Sequence, residues 1–373
     1  MNQKPRILLL STAHPATDPR IVGKIAPTLS SKYEVICMLA NFQNQLMASE
    51  SERVILLPFF QKLIWRLLFV HPVVLFRFLI IRPQVVQIFV AELLPLAFVF
   101  RWFGAEVIYE VQENLYKKFP TKTYNHHSLF QQLFGYFDQK ARRYFYFVFT
   151  EYSYLSEYQN IIKPVAVVHN FADKRWIDWP MPVLDVQNPA FFYAGVISIE
   201  RAFDTMFEAI KILKKDYPTI KLHLFGRYNL LNINDFIDFE SMKDNLVFYG
   251  YTDQIMAFRK AKNSIAGLAL LKPVGDYSES YPSKIFDYMA LGLPVITSDF
   301  ELYKAVIQTN DCGFCQSPTD APKLAETMRW LIEHPNNAQQ IGESGRAAIK
   351  EKYSWEADKL LALYKTVLGT EKQ

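Results

Sequence analysis

The stretch Gly275–Asp299, GDYSESYPSKIFDYMALGLPVITSD, decides the fold. An apolar run, Ile265–Leu271, precedes it and reads as a buried parallel strand. A polar loop without a regular period follows. Ile285, Phe286, Met289 and Leu293 then recur at helical intervals. Pro282 suits the first helical position, where its missing N–H would be unpaired in any case. Gly292 and Pro294 stop the helix, and Val295–Ser298 reads as a second short strand. Strand, loop, helix and strand in this order make one repeat of a parallel α/β sheet.

Chemistry is concentrated at the mouth of that helix. Ser283 and Lys284 fall in its first turn, where free backbone N–H groups and the positive end of the helix dipole favour an anion such as phosphate. Glu279 lies in the loop before it. Asp287 stands five residues beyond Pro282, roughly 7–8 Å along the axis at 1.5 Å per residue, about the span from a diphosphate to the hydroxyls of an attached sugar. A phosphate seat flanked by two carboxylates can hold a sugar nucleotide. The same residues also suit an ordinary helix with a solvated lysine and aspartate.

Working outward, short apolar β-branched runs alternate with helical segments along the whole chain. In the first half they are Ile7–Leu10, Glu34–Leu39, Val54–Pro58, Val85–Phe89, Val107–Val111, Phe147–Thr150 and Val165–His169. In the second they are Phe191–Ala194, Ile220–Phe225, Leu246–Tyr249, Ile265–Leu270 and Val295–Thr297. Strands apolar on both faces and separated by helices fit parallel sheets covered on both sides. The 373 residues, half of them hydrophobic, suit two domains of about 150–190 residues. The expected division is residues 1–170, a linker 171–188 rich in Pro, Asp and Trp, a second domain 189–353, and a final helix within 354–373 that crosses back to the first domain. Doubly wound domains bind ligands beyond the carboxyl ends of their strands, which predicts a site in a cleft where the two face each other.

Charge is unevenly shared. Residues 1–172 hold 18 Lys and Arg against 11 Asp and Glu, a balance of +7, and the remainder carries −3 for a total of +4. In Phe59–Arg82 and Phe130–Phe147 aromatics and arginines interleave, which reads as an amphipathic surface for anionic lipid, or as helices packed on a sheet with their arginines in water. The apolar runs Leu63–Ile81 and Val85–Phe103 are interrupted by Arg66, His71, Pro72 and Arg77, and by Glu92, Pro95 and Arg101, so a membrane-spanning helix is not expected. No nucleic-acid module is recognisable. Arg6–Leu10 is too short for a signal-peptide core, and the three cysteines fit a reducing cytosol. Cys312 and Cys315 form a lone C-x-x-C without a second pair, and His126 and His127, being adjacent, would diverge, so no metal site is expected.

Glu279 and Asp287 with seven residues between them, followed by MALGLPVITSD, resemble the E-x7-E motif and following A-x-G-x-P-V-I of retaining GT-B glycosyltransferases of family 4, also called glycosyl transferases group 1. The resemblance extends to Phe191–Leu213, Lys221–Arg227, Leu246–Tyr251, the C-terminal stretch Cys312–Tyr364 with its Ser-Trp-Glu at Ser354–Glu356, and the opening Arg6–Met38. It implies a GT-B architecture of two Rossmann-like domains, the nucleotide sugar on the second and the acceptor on the first. It implies, residue by residue, that Gly195, Arg201, Ser283 and Lys284 meet the diphosphate, Asp287 the ribose hydroxyls, and Glu279 and Tyr281 the donor sugar. Glu279, Arg201 and Lys284 would be the catalytic set. On the acceptor side it points to Arg20 and His14 in the first loop and to Gln112 and Glu113 in Tyr109–Asn114. Departures are plain: Val196 replaces an arginine, Gln112 a histidine, Asp287 a glutamate, and the loop glycines are missing. Glutamine can hydrogen-bond a hydroxyl but cannot shuttle a proton.

The activity implied is transfer of a sugar from a UDP- or GDP-linked donor to a saccharide acceptor, lipid-linked and at the cytoplasmic membrane face, in polysaccharide or glycoconjugate synthesis. No cofactor is called for, since side chains and helix dipoles neutralise the leaving diphosphate in that class. The alternatives are a non-catalytic membrane-associated binding protein of the same shape and a nucleotide-sugar epimerase.

Overall fold

The computed structural model describes residues 4–42, 53–118, 128–228 and 239–369; His126 and His127 lie outside them. Contacts divide the chain into two units, one formed by Met1–Asn170 with Glu356–Gln373 and the other by Phe171–Trp355.

The first unit is built on strands β1 (Arg6–Pro15), β2 (Glu34–Ala40), β3 (Arg53–Leu57), β4 (Val85–Ile88), β5 (Glu106–Val111), β6 (Tyr146–Phe149) and β7 (Val165–Val167), in the order β3-β2-β1-β4-β5-β6-β7. Every pairing is parallel, with Leu8 of β1 opposite Ile36 and Val86. Ile7, Leu8, Leu9 and Leu10 are all fully buried, as a strand covered on both faces requires. β1 continues through Ser11–His14, which the sequence reads as loop, with its register to β2 shifting between Leu10 and Pro15.

The second unit carries β8 (Ala190–Ala194), β9 (Lys221–Phe225), β10 (Leu246–Gly250), β11 (Ala266–Ala269), β12 (Val295–Ser298) and β13 (Gly313–Gln316), again all parallel, in the order β10-β9-β8-β11-β12-β13. Alternate residues feed the two faces. Phe191, Leu222 and Leu268 join one core with the helices Phe203–Leu213 and Ala321–Glu333, whereas Phe192, Phe225 and Ala269 join another with the helix Ser283–Leu291. The edge strand β13, GFCQ, lacks the unbroken apolar run that marks the other strands in the sequence.

Two local expectations are corrected. Pro282 is not the first helical residue but the residue before it, with extended ψ of 122°, and the helix begins at Ser283. Leu63–Ile81 is helical throughout despite His71 and Pro72, and it has the length and composition that a membrane span requires, with only 22% of its apolar window buried. Pro72 lies where the π-helical turn Arg66–Val70 gives way to the α-helix His71–Ile81, a local change of hydrogen-bond pattern at which a missing N–H is accommodated. The left-handed Gly292, φ 76°, closes the Ser283–Leu291 helix as the sequence predicts.

The helix Ala357–Val367 packs with the first unit, where the Tyr364 hydroxyl donates to Gln87 Oε1. Just ahead of it, the Glu356 carboxylate accepts from the His169 backbone N–H at 2.8 Å and lies 3.0 Å from His169 Nδ1. Burial would raise its pKa, but the bonds from His169 and Lys359 prevail and hold it at about 2. A carboxylate with a depressed native pKa contributes stability that is present above its unfolded value of 4.5 and is lost as pH falls toward 2. Glu356→Gln is therefore expected to lose on the order of 1–2 kcal/mol at pH 7, after solvent screening, and to close that gap to wild type between pH 4.5 and 2 in urea titrations.

Candidate functional site

At the carboxyl end of β8 the chain turns at Gly195, φ 144°, whose N–H donates to the Phe225 carbonyl at 2.8 Å. A Cβ at Gly195 would lie 3.1 Å from Arg201 Nη1 and 3.1 Å from Lys284 Nζ. No more than twice that distance separates the two cationic nitrogens, which close together over a Cα that only glycine leaves bare. Gly226 is required for the same turn: with φ 140°, its Cβ would stand 1.9 Å from the Gly195 carbonyl oxygen. Gly226→Ala is expected to cost about 3 kcal/mol or more in chemical denaturation, because backbone rather than a flexible side chain must yield.

Arg201 does not head a helix as the sequence implies. It ends a short turn, Ile199–Arg201, and the left-handed Ala202, φ 56°, separates it from the helix Phe203–Leu213. That break directs the guanidinium back to the sheet, where it is hydrogen-bonded to Tyr193 and Tyr277. Tyr193 is fully buried, and its hydroxyl donates to the Val196 carbonyl at 2.6 Å. Burial, partly offset by Arg201, raises the Tyr193 phenol to about 12. The loop that carries Tyr277 is pinned from outside the site: Tyr303 donates to the Tyr277 and Ser280 carbonyls, and Lys272 Nζ pairs with Asp204 at 2.6 Å.

Lys284 is the decisive side chain. It is 7% exposed, and its Nζ makes no hydrogen bond. The nitrogen sits 4.1 Å from the centroid of the Tyr193 ring. Burial, and then the charge of Arg201, hold its pKa well below the ordinary lysine value. The sequence suggests a lysine in water at a helix end; the structure encloses it because the whole of Lys284–Leu291 is buried against the sheet. Asp287, three residues on and so on the same side of the helix, is also 7% exposed. Ser283 and Tyr281 are half-buried, and Glu279 is exposed in the loop that enters the helix. Gly195, Arg201 and Lys284 are thus brought into one place, with Ser283 beside Lys284 in the first turn and Asp287 further along the helix.

The first unit answers differently. Arg20 is held inside the first unit: it is 4% exposed, with Nε 2.6 Å from Glu110 Oε1 and Nη2 donating to the Val168 carbonyl at 2.9 Å. Gln112 Nε2 donates to the same Glu110 oxygen at 2.8 Å, and Gln87 Nε2 to the other. Glu110 is the hub of a buried polar network that sequence reasoning passed over in favour of its neighbours. A glutamate inside the otherwise hydrophobic VIYEV of β5, Val107–Val111, was the available signal. His14 Nδ1 lies 2.8 Å from Ser11 Oγ, and Glu113 is exposed. Cys312 is buried, and Cys315 lies on β13. Among the described residues no group of three or more His, Cys, Asp or Glu is placed to hold a metal ion.

A strand-turn-helix cradle with a bare glycine, two converging cations and a helix mouth defines an anion seat of the doubly wound kind. Residues 180–348, which contain all of it, match the family model described as glycosyl transferases group 1. The capsular polysaccharide biosynthesis glycosyltransferase CapM of Staphylococcus aureus is 24% identical over a match covering 47% of this chain and 46% of that protein, less than half its length. Two solved structures share the fold over nearly the whole chain. A sucrose-phosphate synthase of Thermosynechococcus elongatus is 15% identical, with a TM-score of 0.75 over 98% of this chain and 100% of that one. HepE of Anabaena, determined in complex with UDP and glucose, is 12% identical, with a TM-score of 0.66 over 100% of both chains. The fold is the two-domain α/β GT-B architecture.

Proposed function

We propose that the protein is a glycosyltransferase that moves a sugar from a nucleoside-diphosphate donor to a saccharide acceptor, in the synthesis of a cell-surface polysaccharide or glycoconjugate. The observation that carries this reading is the convergence of Arg201 and Lys284 over Gly195, with the Lys284 Nζ lacking any hydrogen-bond partner. A buried lysine nitrogen and a half-buried guanidinium this close repel one another when both are charged, and a diphosphate supplies the charge that relieves both. The group-1 match over residues 180–348 and the UDP held by HepE support a nucleotide donor, and CapM supports a polysaccharide product.

In the reaction the diphosphate gains charge as its bond to the sugar breaks. Arg201, Lys284 and the N–H groups at the mouth of Ser283–Leu291 lie where that charge develops, and they are already in place, so little reorganisation is needed. Asp287 would accept hydrogen bonds from the ribose hydroxyls, and Glu279 and Tyr281 would face the donor sugar. His14, Gln112 and Glu113 would serve the acceptor, with the Glu110 network fixing the Gln112 amide. Retention of configuration and membership of family 4 rest on the resemblance to retaining GT-B glycosyltransferases alone, and on this reading the side chains and the helix mouth neutralise the charge without a metal.

The acceptor is lipid-linked in this reading, and the protein works at the cytoplasmic face of the membrane. Its first unit supports this: Ile64, Leu68, Phe69, Phe76 and Ile80 on Leu63–Ile81 are each more than half exposed.

Incubation with a panel of UDP- and GDP-sugars, followed by proton NMR of the anomeric signals, tests the function. One donor should be hydrolysed slowly, and turned over faster with an acceptor extract, with the anomeric configuration kept. Tight binding of a sugar nucleotide with no turnover would identify a binding protein, and interconversion of donor sugars an epimerase.

A further inference from the structure

A second cavity lies in the Phe171–Trp355 unit, away from Gly195, Arg201 and Lys284. Its volume is about 440 Å³, and its walls are Val183, Asp185 and Asn188, Ala190 at the start of β8, Thr219, Lys221 and His223 on and before β9, Val247 and Tyr249 on β10, and Lys260 and Asn263 at the end of the helix Gln254–Ala261. His223 on β9 forms part of its wall and is 5% exposed. Histidine is unusual on a strand whose neighbours Leu222 and Leu224 are fully buried in the core. Tyr249 Oη lies 3.1 Å from its Nδ1, and the Tyr249 ring is itself stacked on Phe225 at 4.1 Å, so the imidazole is held in place through one nitrogen. Lys221, exposed, and Lys260, half-buried, also line the cavity. The nearest acid in the wall, Asp185, is engaged by the Gln187 and Asn188 backbone N–H groups, both at 3.0 Å, and by the Asn188 amide at 3.1 Å.

We propose that this cavity binds a small phosphorylated sugar, its phosphate between Lys221, Lys260 and His223 and its hydroxyls against Asn188, Thr219 and Asn263. The geometry argues for an anion: three nitrogen-bearing side chains share a concave wall whose only carboxylate among the described residues, Asp185, is hydrogen-bonded to N–H groups of its own segment. Size argues for more than a bare phosphate, since the cavity falls within the range of small-molecule sites. Burial, then Lys260 and Lys221, hold the imidazole pKa at about 4, so a bound phosphate should raise it. This proposal does not depend on the donor site.

The test is calorimetry with glucose 6-phosphate, inorganic phosphate and free glucose, using the full chain as Lys284→Ala so that the diphosphate seat is weakened. Glucose 6-phosphate should bind, more tightly than phosphate, and free glucose should not. Lys221→Ala with Lys260→Ala, in a protein of unchanged circular dichroism, should weaken binding at least tenfold. In imidazole-carbon NMR titrations the His223 pKa should rise when the sugar phosphate is present. Absence of binding to the parent protein, equal affinity in the double variant, or displacement by UDP would each overturn the proposal.

Discussion

Lys284→Met is expected to melt higher than wild type while losing about 10²–10³-fold in turnover. The two effects come from one fact: a nearly enclosed ammonium with no hydrogen-bond partner, beside Arg201, destabilises the empty protein. Removing it with a side chain of similar length should recover roughly 1–3 kcal/mol, or about 2–4 °C per kcal/mol in a unit of this size. The sign follows from linkage. A lysine whose native pKa is lowered binds fewer protons than the unfolded chain between that lowered value and 10.5, so wild-type stability rises with pH through this window. The advantage of the methionine variant should therefore be greatest at low pH and vanish near 10.5. Donor binding should run the other way: the diphosphate raises the Lys284 pKa, so between the lowered and the raised value a proton is taken up on binding and UDP affinity falls as pH rises. Calorimetry in buffers of different ionisation enthalpy reads that proton directly. A variant that melts lower than wild type, with normal turnover, would show a lysine of structural importance only.

The second large effect concerns the first unit. Phe76→Glu with Ile80→Glu is expected to reduce co-sedimentation with phosphatidylglycerol-containing vesicles by more than tenfold, leaving the melting temperature nearly unchanged. Phe76 is 63% and Ile80 59% exposed, so little folding energy depends on either. The inward face of the same helix is Val70, Val74, Phe78 and Ile81. Phe78 packs on Phe100 at 4.4 Å and on Phe103 at 6.4 Å, and beyond it Trp102 is 83% exposed, so the apolar surface continues onto a second helix end. Burying one such side chain is worth about 1.5–3 kcal/mol, which makes two of them decisive for a peripheral contact. Lys62, Arg77 and Arg82 are exposed on or beside the helix and suit an anionic headgroup layer. Undiminished sedimentation of the double variant would assign this surface to another partner.

Much of the fold was legible because parallel strands buried on both faces announce themselves as unbroken Val, Ile, Leu and Phe runs. The helix at Ser283 was legible through its spacing and its closing glycine. What escaped the sequence was what depends on distant pairing. The Arg20 to Glu110 ion pair joins residues 90 apart, so the first-loop arginine looks available for a ligand although the chain already occupies it. Tyr193 looks like any core aromatic, yet its ring lies beneath the Lys284 ammonium and its hydroxyl is bonded to Arg201. The burial of Lys284 was hidden too, because a helix start is ordinarily solvated and only the packing of the entire Ser283–Leu291 segment encloses it.

The most direct measurement is a crystal structure with UDP bound. The diphosphate is expected within hydrogen-bond distance of Arg201 Nη1 and Lys284 Nζ, over the bare Cα of Gly195, with the ribose hydroxyls donating to Asp287. UDP found elsewhere, with Lys284 still buried and unbonded, would contradict it.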